Sequence, residues 1–183
     1  PARVLDKLRQ ACTGDLRLYP DPGAAKLRQL LADTFGTAPE QFIVGNGSDE
    51  LLTIIIRSFA GEGDKIAYPY PTYGYYKPLI EIQGAKGVVV DFAEDFSLPS
   101  GLAHTGARLT FLVNPNAPSG TLLPIDEIAA LAAQLDGILV VDEAYVDFSE
   151  GGSIALIAEH ANIIVVRTMS KSFSLAGMRI GFD

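Results

Sequence analysis

Several patterns are scarce or missing in this 183-residue sequence, and each absence excludes a class of protein. Cys12 is the only cysteine, which excludes an internal disulfide and a cysteine metal cluster and fits a reducing compartment. The longest apolar stretches, such as residues 51–56, are far shorter than the roughly 20 residues that span a bilayer. The N-terminus also lacks a signal-peptide pattern. We therefore expect a soluble, cytoplasmic protein without a membrane partner.

Basic residues are few as well. Fourteen Lys and Arg side chains face twenty-two Asp and Glu side chains, which gives a net charge of −8. The basic residues are scattered singly, so the sequence does not predict a nucleic-acid partner. Because the overall field repels anions, an anionic ligand must be held by a local pocket. Individual cationic residues are therefore informative.

The composition that remains is that of an ordinary globular protein, with 48% hydrophobic and 20% charged residues. From residue 40 onward, short apolar runs alternate with helical patterns, which predicts an α/β fold with three α/β/α layers and a mostly parallel sheet. The predicted strands cover residues 41–44, 65–68, 87–91, 109–113, 138–142 and 163–167. The predicted helices cover residues 24–35, 49–59, 73–81 and 125–134, with Ser48 or Asp49 as the N-cap of the second.

The first forty residues differ from the rest. A helical stretch at residues 3–11 precedes Pro20 and Pro22, which impose an extended or turning backbone. We expect residues 1–40 to form a lead-in arm and residues 41–183 to form one large domain. Residues 179–183 look like the start of another strand, so we also expect the chain to be part of a longer polypeptide whose C-terminal small domain is missing.

Asp142 and Glu143 follow an apolar strand, and Tyr145 comes shortly after them. Open α/β sheets bind ligands at the carboxyl ends of their strands, so these residues are candidates for a site. A helix N-cap with a solvated acid pair explains the segment equally well. A role for Asp142 as a magnesium ligand in a nucleotide site would need a phosphate loop of the form GxxxxGK[ST], which the sequence lacks. We predict no metal site.

Lys171 follows another strand, in the run Thr168-Met169-Ser170-Lys171-Ser172-Phe173. A lysine there is normally solvent-exposed. The apolar residues that follow, including Phe173 and Met178, predict partly apolar surroundings, which would favour the neutral amine that Schiff-base chemistry needs. Both interpretations stay open on this segment alone.

The turn Val44-Gly45-Asn46-Gly47-Ser48-Asp49-Glu50 joins a strand to a helix, a geometry whose backbone N–H groups and helix dipole can hold a phosphate. A plain tight turn is the alternative. A nicotinamide site is disfavoured because Glu50 stands where the fingerprint needs its third glycine. Two further loops are unusual, one with five of the seven tyrosines at residues 68–76 and one rich in proline at residues 114–120.

Taken together and in order, these segments resemble the fold-type I pyridoxal-phosphate (PLP) aminotransferases, most closely the histidinol-phosphate aminotransferase branch. The resemblance covers nearly the whole chain. The matching segments are Leu18-Tyr19-Pro20-Asp21, Gly45-Asn46-Gly47-Ser48-Asp49-Glu50, Pro71-Thr72-Tyr73-Gly74, Asn114-Pro115-Asn116-Ala117-Pro118-Ser119-Gly120, Asp142-Glu143-Ala144-Tyr145, and Arg167-Thr168-Met169-Ser170-Lys171-Ser172-Phe173 with Gly177-Met178-Arg179-Ile180-Gly181.

The resemblance implies catalytic roles for three residues. Lys171 would bind PLP as a Schiff base and later move a proton at Cα of the substrate. Asp142 would face the pyridine nitrogen and keep it protonated, and Tyr145 would bond the ring hydroxyl oxygen. The remaining implied cofactor contacts are Tyr73 on the ring face, Ser48, Asp49, Ser170 and Arg179 on the phosphate, and Tyr19 on the phosphate of a neighbouring subunit in a homodimer.

One residue departs from the family pattern. Ala117 stands where the family usually has an Asn that bonds the ring oxygen, so either Tyr145 carries that contact alone or Asn116 is reoriented. The implied reaction is amino transfer from L-histidinol phosphate to 2-oxoglutarate in histidine biosynthesis. A PLP-dependent decarboxylase of a phosphorylated amino acid, an aromatic-amino-acid transaminase and a non-catalytic domain that keeps the fold are the alternatives.

Overall fold

Helices and strands alternate along residues 2–183, which are the residues that this computed structural model describes; Pro1, the first residue of the predicted arm, lies outside them. The helices are α1 (Ala2–Ala11), α2 (Ala25–Phe35), α3 (Ser48–Phe59), α4 (Tyr76–Gln83) and α5 (Ile125–Gln134). The strands are β1 (Val44–Asn46), β2 (Lys65–Tyr70), β3 (Lys86–Asp91), β4 (Leu109–Val113), β5 (Ile138–Asp142), β6 (Ile163–Thr168) and β7 (Ile180–Phe182).

The seven strands form one sheet in the order β1-β7-β6-β5-β4-β2-β3. Strands β2 to β6 pair in parallel, whereas β7 runs antiparallel to both β6 and β1. Every residue of β4 is buried, as expected of a central parallel strand that is covered on both faces. The predicted mostly parallel α/β sheet is therefore confirmed.

Helices cover both faces of this sheet. Alternate residues of a strand point to opposite faces, so Phe111 packs in the cluster under α3 and α4 while Leu112 packs in the cluster under α5. Ile55 and Leu79 are the buried contributions of α3 and α4 to the first cluster, and Leu131 is that of α5 to the second. These clusters separate the three α/β/α layers that the sequence predicted.

The N-terminal segment packs differently from the rest. Helix α1 contains no buried residue. Helix α2 places Leu31 and Ala32 in a small cluster with Phe42 and Phe182, which attaches it to the edge of the sheet near β7. Of the two helices in this segment, only α2 therefore packs buried apolar side chains against the sheet.

Three predicted boundaries are wrong. The strand predicted at residues 41–44 is shifted: Pro39–Gln41 form a 3-10 turn, and β1 covers Val44–Asn46. Its bounds follow the pairing with β7, from Val44 opposite Phe182 to Asn46 opposite Ile180. Helix α4 begins at Tyr76, not Tyr73. Helix α3 begins at Ser48 with Gly47 as its N-cap, because the chain turns there with a positive φ that favours glycine.

The remaining predicted elements lie within two residues of the observed ones, including the strand expected near the C-terminus. Within residues 2–183, no helix is both long enough and apolar enough to cross a bilayer.

Three neighbouring parallel strands end at one edge of the sheet and bring their following residues together. In the register of the sheet, Val113 at the end of β4 lies opposite Asp142 at the end of β5, and Asp142 lies opposite Val166 near the end of β6. Helix α3 begins at the same edge, because β1 leads into it and β1 pairs with β7. The segments that carried the sequence motifs therefore converge at this edge.

Candidate active site

A cavity opens at the carboxyl ends of β4, β5 and β6. Eight of the nine predicted site residues line it, and the exception is Tyr19. The lining residues are Ser48, Asp49, Tyr73, Val113, Ala117, Asp142, Ala144, Tyr145, Thr168, Ser170, Lys171, Ala176 and Arg179. Residues that lie far apart in the sequence thus share one concave surface.

Asp142 is the buried acid of this cavity, with 3% of its surface exposed. Its Oδ1 accepts a hydrogen bond from the backbone N–H of Ala144 at 3.1 Å, and its Oδ2 accepts one from the hydroxyl of Tyr76 at 3.0 Å. Burial raises the pKa of Asp142 to about 6, and the two hydrogen bonds act in the opposite direction. The carboxylate is therefore held in one orientation at the cavity wall.

Lys171 lies at the open side of the cavity. Its Nζ is 5.2 Å from the centroid of the Tyr145 ring, within the range of a cation–π contact. The apolar surroundings that the sequence suggested are not formed here, because Lys171 is exposed and the side chains of Phe173 and Met178 are 49% and 39% exposed. The amine instead lies beside the ring of Tyr145, and both side chains line the cavity.

Backbone N–H groups and Arg179 form a cradle at the start of α3. Gly47 has φ +82°, and a Cβ there would lie 2.5 Å from Nη2 of Arg179. A Cβ on Gly181 would lie 2.6 Å from the backbone nitrogen of Ser48. A Cβ at Gly181 would collide with backbone, whereas a Cβ at Gly47 would displace the guanidinium of Arg179. A positive side chain beside a helix N-terminus is a site for an anion, and phosphate suits it.

Asp49 connects this cradle to the aromatic wall. Its Oδ1 accepts a hydrogen bond from the hydroxyl of Tyr73 at 2.9 Å, and its Oδ2 lies 3.5 Å from Nη2 of Arg179. Burial, followed by the hydrogen bond to Asp49, raises the pKa of Tyr73 above its usual range. Tyr73 is therefore a neutral donor whose ring faces the cavity.

Ser170 lies between β6 and Lys171. Its hydroxyl oxygen accepts a hydrogen bond from the hydroxyl of Thr168 at 2.9 Å, and its backbone N–H donates to the same Thr168 oxygen at 3.2 Å. These bonds curl the chain at the end of β6. The curl directs Ser170 and Lys171 into the cavity that Arg179 borders.

Ala117 lines the cavity, and Asn116 does not. The side chain of Asn116 is buried and bonded within the protein: its amide nitrogen donates to Pro71 O at 3.2 Å and to Ser119 Oγ at 3.0 Å, and its oxygen accepts from Thr72 at 3.2 Å. It joins two loops behind the cavity. Of the two possibilities that the sequence left open, a reoriented Asn116 is thus disfavoured.

Tyr19 is fully exposed and lies away from the cavity of its own chain. This placement leaves it free to contact another molecule.

Sequence reasoning missed two residues next to Asp142. Tyr76 donates the hydrogen bond to its carboxylate, and Glu143 forms a buried ion pair with Arg167. The cluster of tyrosines in residues 68–76 was a signal for Tyr76, but it did not show which ring would turn inward. Glu143 stood out only as the second acid of a pair.

Comparisons with known proteins identify the family of the chain. The family model "Aminotransferase class I and II" matches residues 1–182. A histidinol-phosphate aminotransferase of Rhodopirellula baltica is 44% identical over 185 residues, which cover 100% of this chain and 51% of that protein. The chain spans about half the length of the curated relatives it matches.

Solved structures share the fold. A histidinol-phosphate aminotransferase of Sinorhizobium meliloti in complex with pyridoxal-5'-phosphate has a TM-score of 0.90 and 34% identity over 98% of this chain and 51% of that one. An L-threonine-O-3-phosphate decarboxylase of Porphyromonas gingivalis has a TM-score of 0.80 and 28% identity over 91% of this chain and 53% of that one. The chain belongs to the class I and II aminotransferase family.

Proposed function

We propose that this chain is the cofactor-binding large domain of a PLP-dependent aminotransferase that transfers the amino group of L-histidinol phosphate to 2-oxoglutarate. The products are imidazole acetol phosphate and glutamate, in cytoplasmic histidine biosynthesis. In this proposal residues 41–183 form the domain and residues 1–40 form an arm that leads into it. The observation that carries the proposal is one cavity that combines Lys171, Asp142 and the cradle at Arg179.

The residues of the cavity fit PLP in chemical type. Glycine at position 47 lets the guanidinium of Arg179 lie against the start of α3, where a Cβ would press on it. Arg179 supplies the positive charge that a phosphate needs in a chain of net charge −8. Asp142 is an acid for the ring nitrogen, and Lys171 is an amine for the aldehyde. Tyr73 offers a ring face for a planar molecule.

Each residue has a separate task in the reaction. When bound, PLP supplies an electron sink for the pair of electrons left at Cα of the amino substrate. Asp142, as a carboxylate, would hold the proton on the pyridine nitrogen. Lys171 Nζ would bind the aldehyde carbon. Once released by the amino substrate, it would take the proton from Cα of the substrate and deliver it to the former aldehyde carbon of PLP.

Five residues would orient the cofactor without taking part in proton transfer. The backbone N–H groups of Ser48 and Asp49, the hydroxyl of Ser170 and the guanidinium of Arg179 would hold the phosphate. The hydroxyl of Tyr145 would bond the ring oxygen alone, since Ala117 has no polar atom to share this task. Because these groups would hold PLP in one position, its aldehyde carbon would lie near Nζ of Lys171.

A homodimer is part of the proposal. The fully exposed Tyr19 would reach the phosphate in the neighbouring subunit, and helix α1, which buries no residue in its own chain, would pack at the subunit interface. Sedimentation of the chain with and without PLP tests this. We expect a dimer whose PLP affinity falls in Tyr19→Phe; a monomer with unchanged affinity for PLP in that variant contradicts the shared site.

Half-reactions with amino donors test the proposed substrate. The full-length protein of which this chain is the proposed large domain is loaded with PLP and mixed with L-histidinol phosphate, L-phenylalanine or L-threonine phosphate. The reaction is followed by the loss of the absorbance of the Lys171-bound form. We expect L-histidinol phosphate to react fastest. A faster reaction with another donor refutes the substrate assignment, and release of CO₂ from L-threonine phosphate supports the decarboxylase. Binding of PLP without any half-reaction favours a non-catalytic domain.

A further inference from the structure

Tyr76 does not line the cavity, but its hydroxyl contacts the acid of the cavity from the protein core. Tyr76 is the first residue of α4 and is completely buried. Its Oη lies 3.0 Å from Oδ2 of Asp142, although the two residues are 66 positions apart in the sequence. Among residues 2–183 it is the one side chain with a hydrogen bond to Asp142.

The ring of Tyr76 is itself fixed on three sides. It stacks on Phe111 of β4, with centroids 4.7 Å apart and planes at 22°. Tyr73 contacts it edge to face at 5.7 Å and 90°, and Tyr68 lies 6.0 Å away. A ring held in this way has one position for its hydroxyl, so the bond to Asp142 is formed before any ligand arrives.

We infer that Tyr76 is a positioning residue: its hydroxyl fixes the Asp142 carboxylate and keeps it ionised for the pyridine nitrogen. The role in cofactor binding rests on the proposed function. The physical reason is that a phenol donates to the charged form of a carboxyl group and so stabilises that form. Burial alone favours the neutral acid, which could not hold a proton on the ring nitrogen.

Other ionisable groups also surround Asp142 and enter its titration. Asp49 and Glu143 carry negative charge and raise the pKa of Asp142, as burial does, whereas the hydrogen bonds from Tyr76 and Ala144 lower it. The pKa of Tyr76 itself is raised well above its usual range by burial and by Asp142, so Tyr76 remains a donor. The remaining ionisable groups on the cavity wall are Tyr73, Tyr145, Lys171 and Arg179.

The test is a carboxyl ¹³C NMR titration of the 183-residue chain without PLP, with Asp142 assigned through Asp142→Asn. Tyr76→Phe keeps the stacked ring and removes only the hydroxyl, and we expect it to raise the pKa of Asp142 by about one unit. The matched control is Tyr68→Phe, which removes the hydroxyl of the neighbouring ring and should leave that titration unchanged. An unchanged pKa in Tyr76→Phe overturns the inference.

A second measurement uses the unaltered chain, in case Tyr76→Phe does not fold. The buried hydroxyl proton of Tyr76 should exchange slowly with solvent. Its chemical shift should change with pH, with the same midpoint as the titration of Asp142. A Tyr76 hydroxyl chemical shift that stays constant while Asp142 titrates also overturns the inference.

Affinity for PLP then separates the inference from the proposed function. We expect Tyr76→Phe to weaken PLP binding at pH 7 by about three- to tenfold, with Tyr68→Phe within twofold of the unaltered chain. A shifted Asp142 titration with unchanged PLP affinity contradicts the positioning role. Failure of the unaltered chain to bind PLP rejects the proposed function, while the titration still decides whether Tyr76 controls Asp142.

Discussion

Arg167 and Glu143 form a buried ion pair directly behind the cavity. Nη2 and Nε of Arg167 lie 2.7 Å and 2.8 Å from the same oxygen, Oε2 of Glu143, whose side chain is 0% exposed. The backbone N–H of Ser153 donates to the other oxygen, and the guanidinium lies 5.1 Å from the centroid of the Phe35 ring on α2. The pair thus joins the ends of β5 and β6 to the N-terminal segment.

Removal of Glu143 should destabilise the fold strongly, because it leaves the mostly buried charge of Arg167 without a partner. We expect Glu143→Ala to lower the free energy of unfolding by about 3–5 kcal/mol, measured by urea denaturation. The control is Asp6→Ala, which breaks an equally short but exposed pair with Arg9 and should cost less than about 1 kcal/mol. Equal losses in the two variants would contradict a structural role for the buried pair.

Gly47 and Gly63 offer a matched test of the phosphate cradle. Both have a positive φ, +82° and +81°, but a Cβ would meet Arg179 only at Gly47, and Gly63 has open space around it. We expect Gly47→Ala and Gly63→Ala each to lose about 1–3 kcal/mol of stability through backbone strain. Only Gly47→Ala should weaken PLP binding, by at least about tenfold, in an absorbance titration. A similar PLP affinity in both variants would argue against the cradle.

The acid of the cavity should make stability depend on pH. Because burial raises the pKa of Asp142 from 3.8 to about 6, the folded chain holds this proton more tightly than the unfolded chain. Its contribution is therefore fully present below about pH 4 and is lost as the pH rises through 6. A gap of about two pKa units corresponds to about 3 kcal/mol.

Asp142→Asn isolates this contribution from that of other acids, such as Asp183, whose pKa burial also raises. We expect the variant to gain stability relative to the unaltered chain between pH 4 and pH 7, by up to about 3 kcal/mol in urea denaturation of the PLP-free chain. A stability difference that stays constant over this range would show that Asp142 does not titrate in it.

Ala117 can be used to test how the ring oxygen is held. The side chain borders the cavity, so Ala117→Asn would bring an amide to the position that the family usually fills with Asn. We expect PLP to bind about three- to tenfold more tightly, as one added hydrogen bond allows. Ala117→Val adds similar bulk without a donor and should not bind PLP more tightly. An equal gain in both variants would point to packing instead of a hydrogen bond.

Much of the fold followed from residue patterns that act locally. The apolar runs at β4 and β5 were assigned at their observed bounds, because central parallel strands are buried on both faces and read as continuous apolar sequence. The rule that ligands bind at the carboxyl ends of parallel strands marked Asp142 as a candidate, and the family resemblance supplied its link to Lys171. The strand bounds and the position of Asp142 at a strand end can both be recognised from a few neighbouring residues.

The features that were missed depend on contacts between distant segments. Tyr76 matters because its ring stacks on Phe111 of β4 and its hydroxyl donates to Asp142 of β5. The start of α4 was predicted three residues too early. The short β1 was shifted because its bounds come from pairing with β7, more than 130 residues away. The surroundings of Lys171 were also misjudged, since apolar residues next in sequence turned outward.

The central claim is that Lys171 binds PLP covalently. The most direct measurement is mass spectrometry of peptides after the chain is incubated with PLP and reduced with borohydride, which converts the bond to a stable amine. We expect the phosphopyridoxyl group on the peptide that contains Lys171, and its loss in Lys171→Ala. The label on other lysines only, or none at all, would contradict the account.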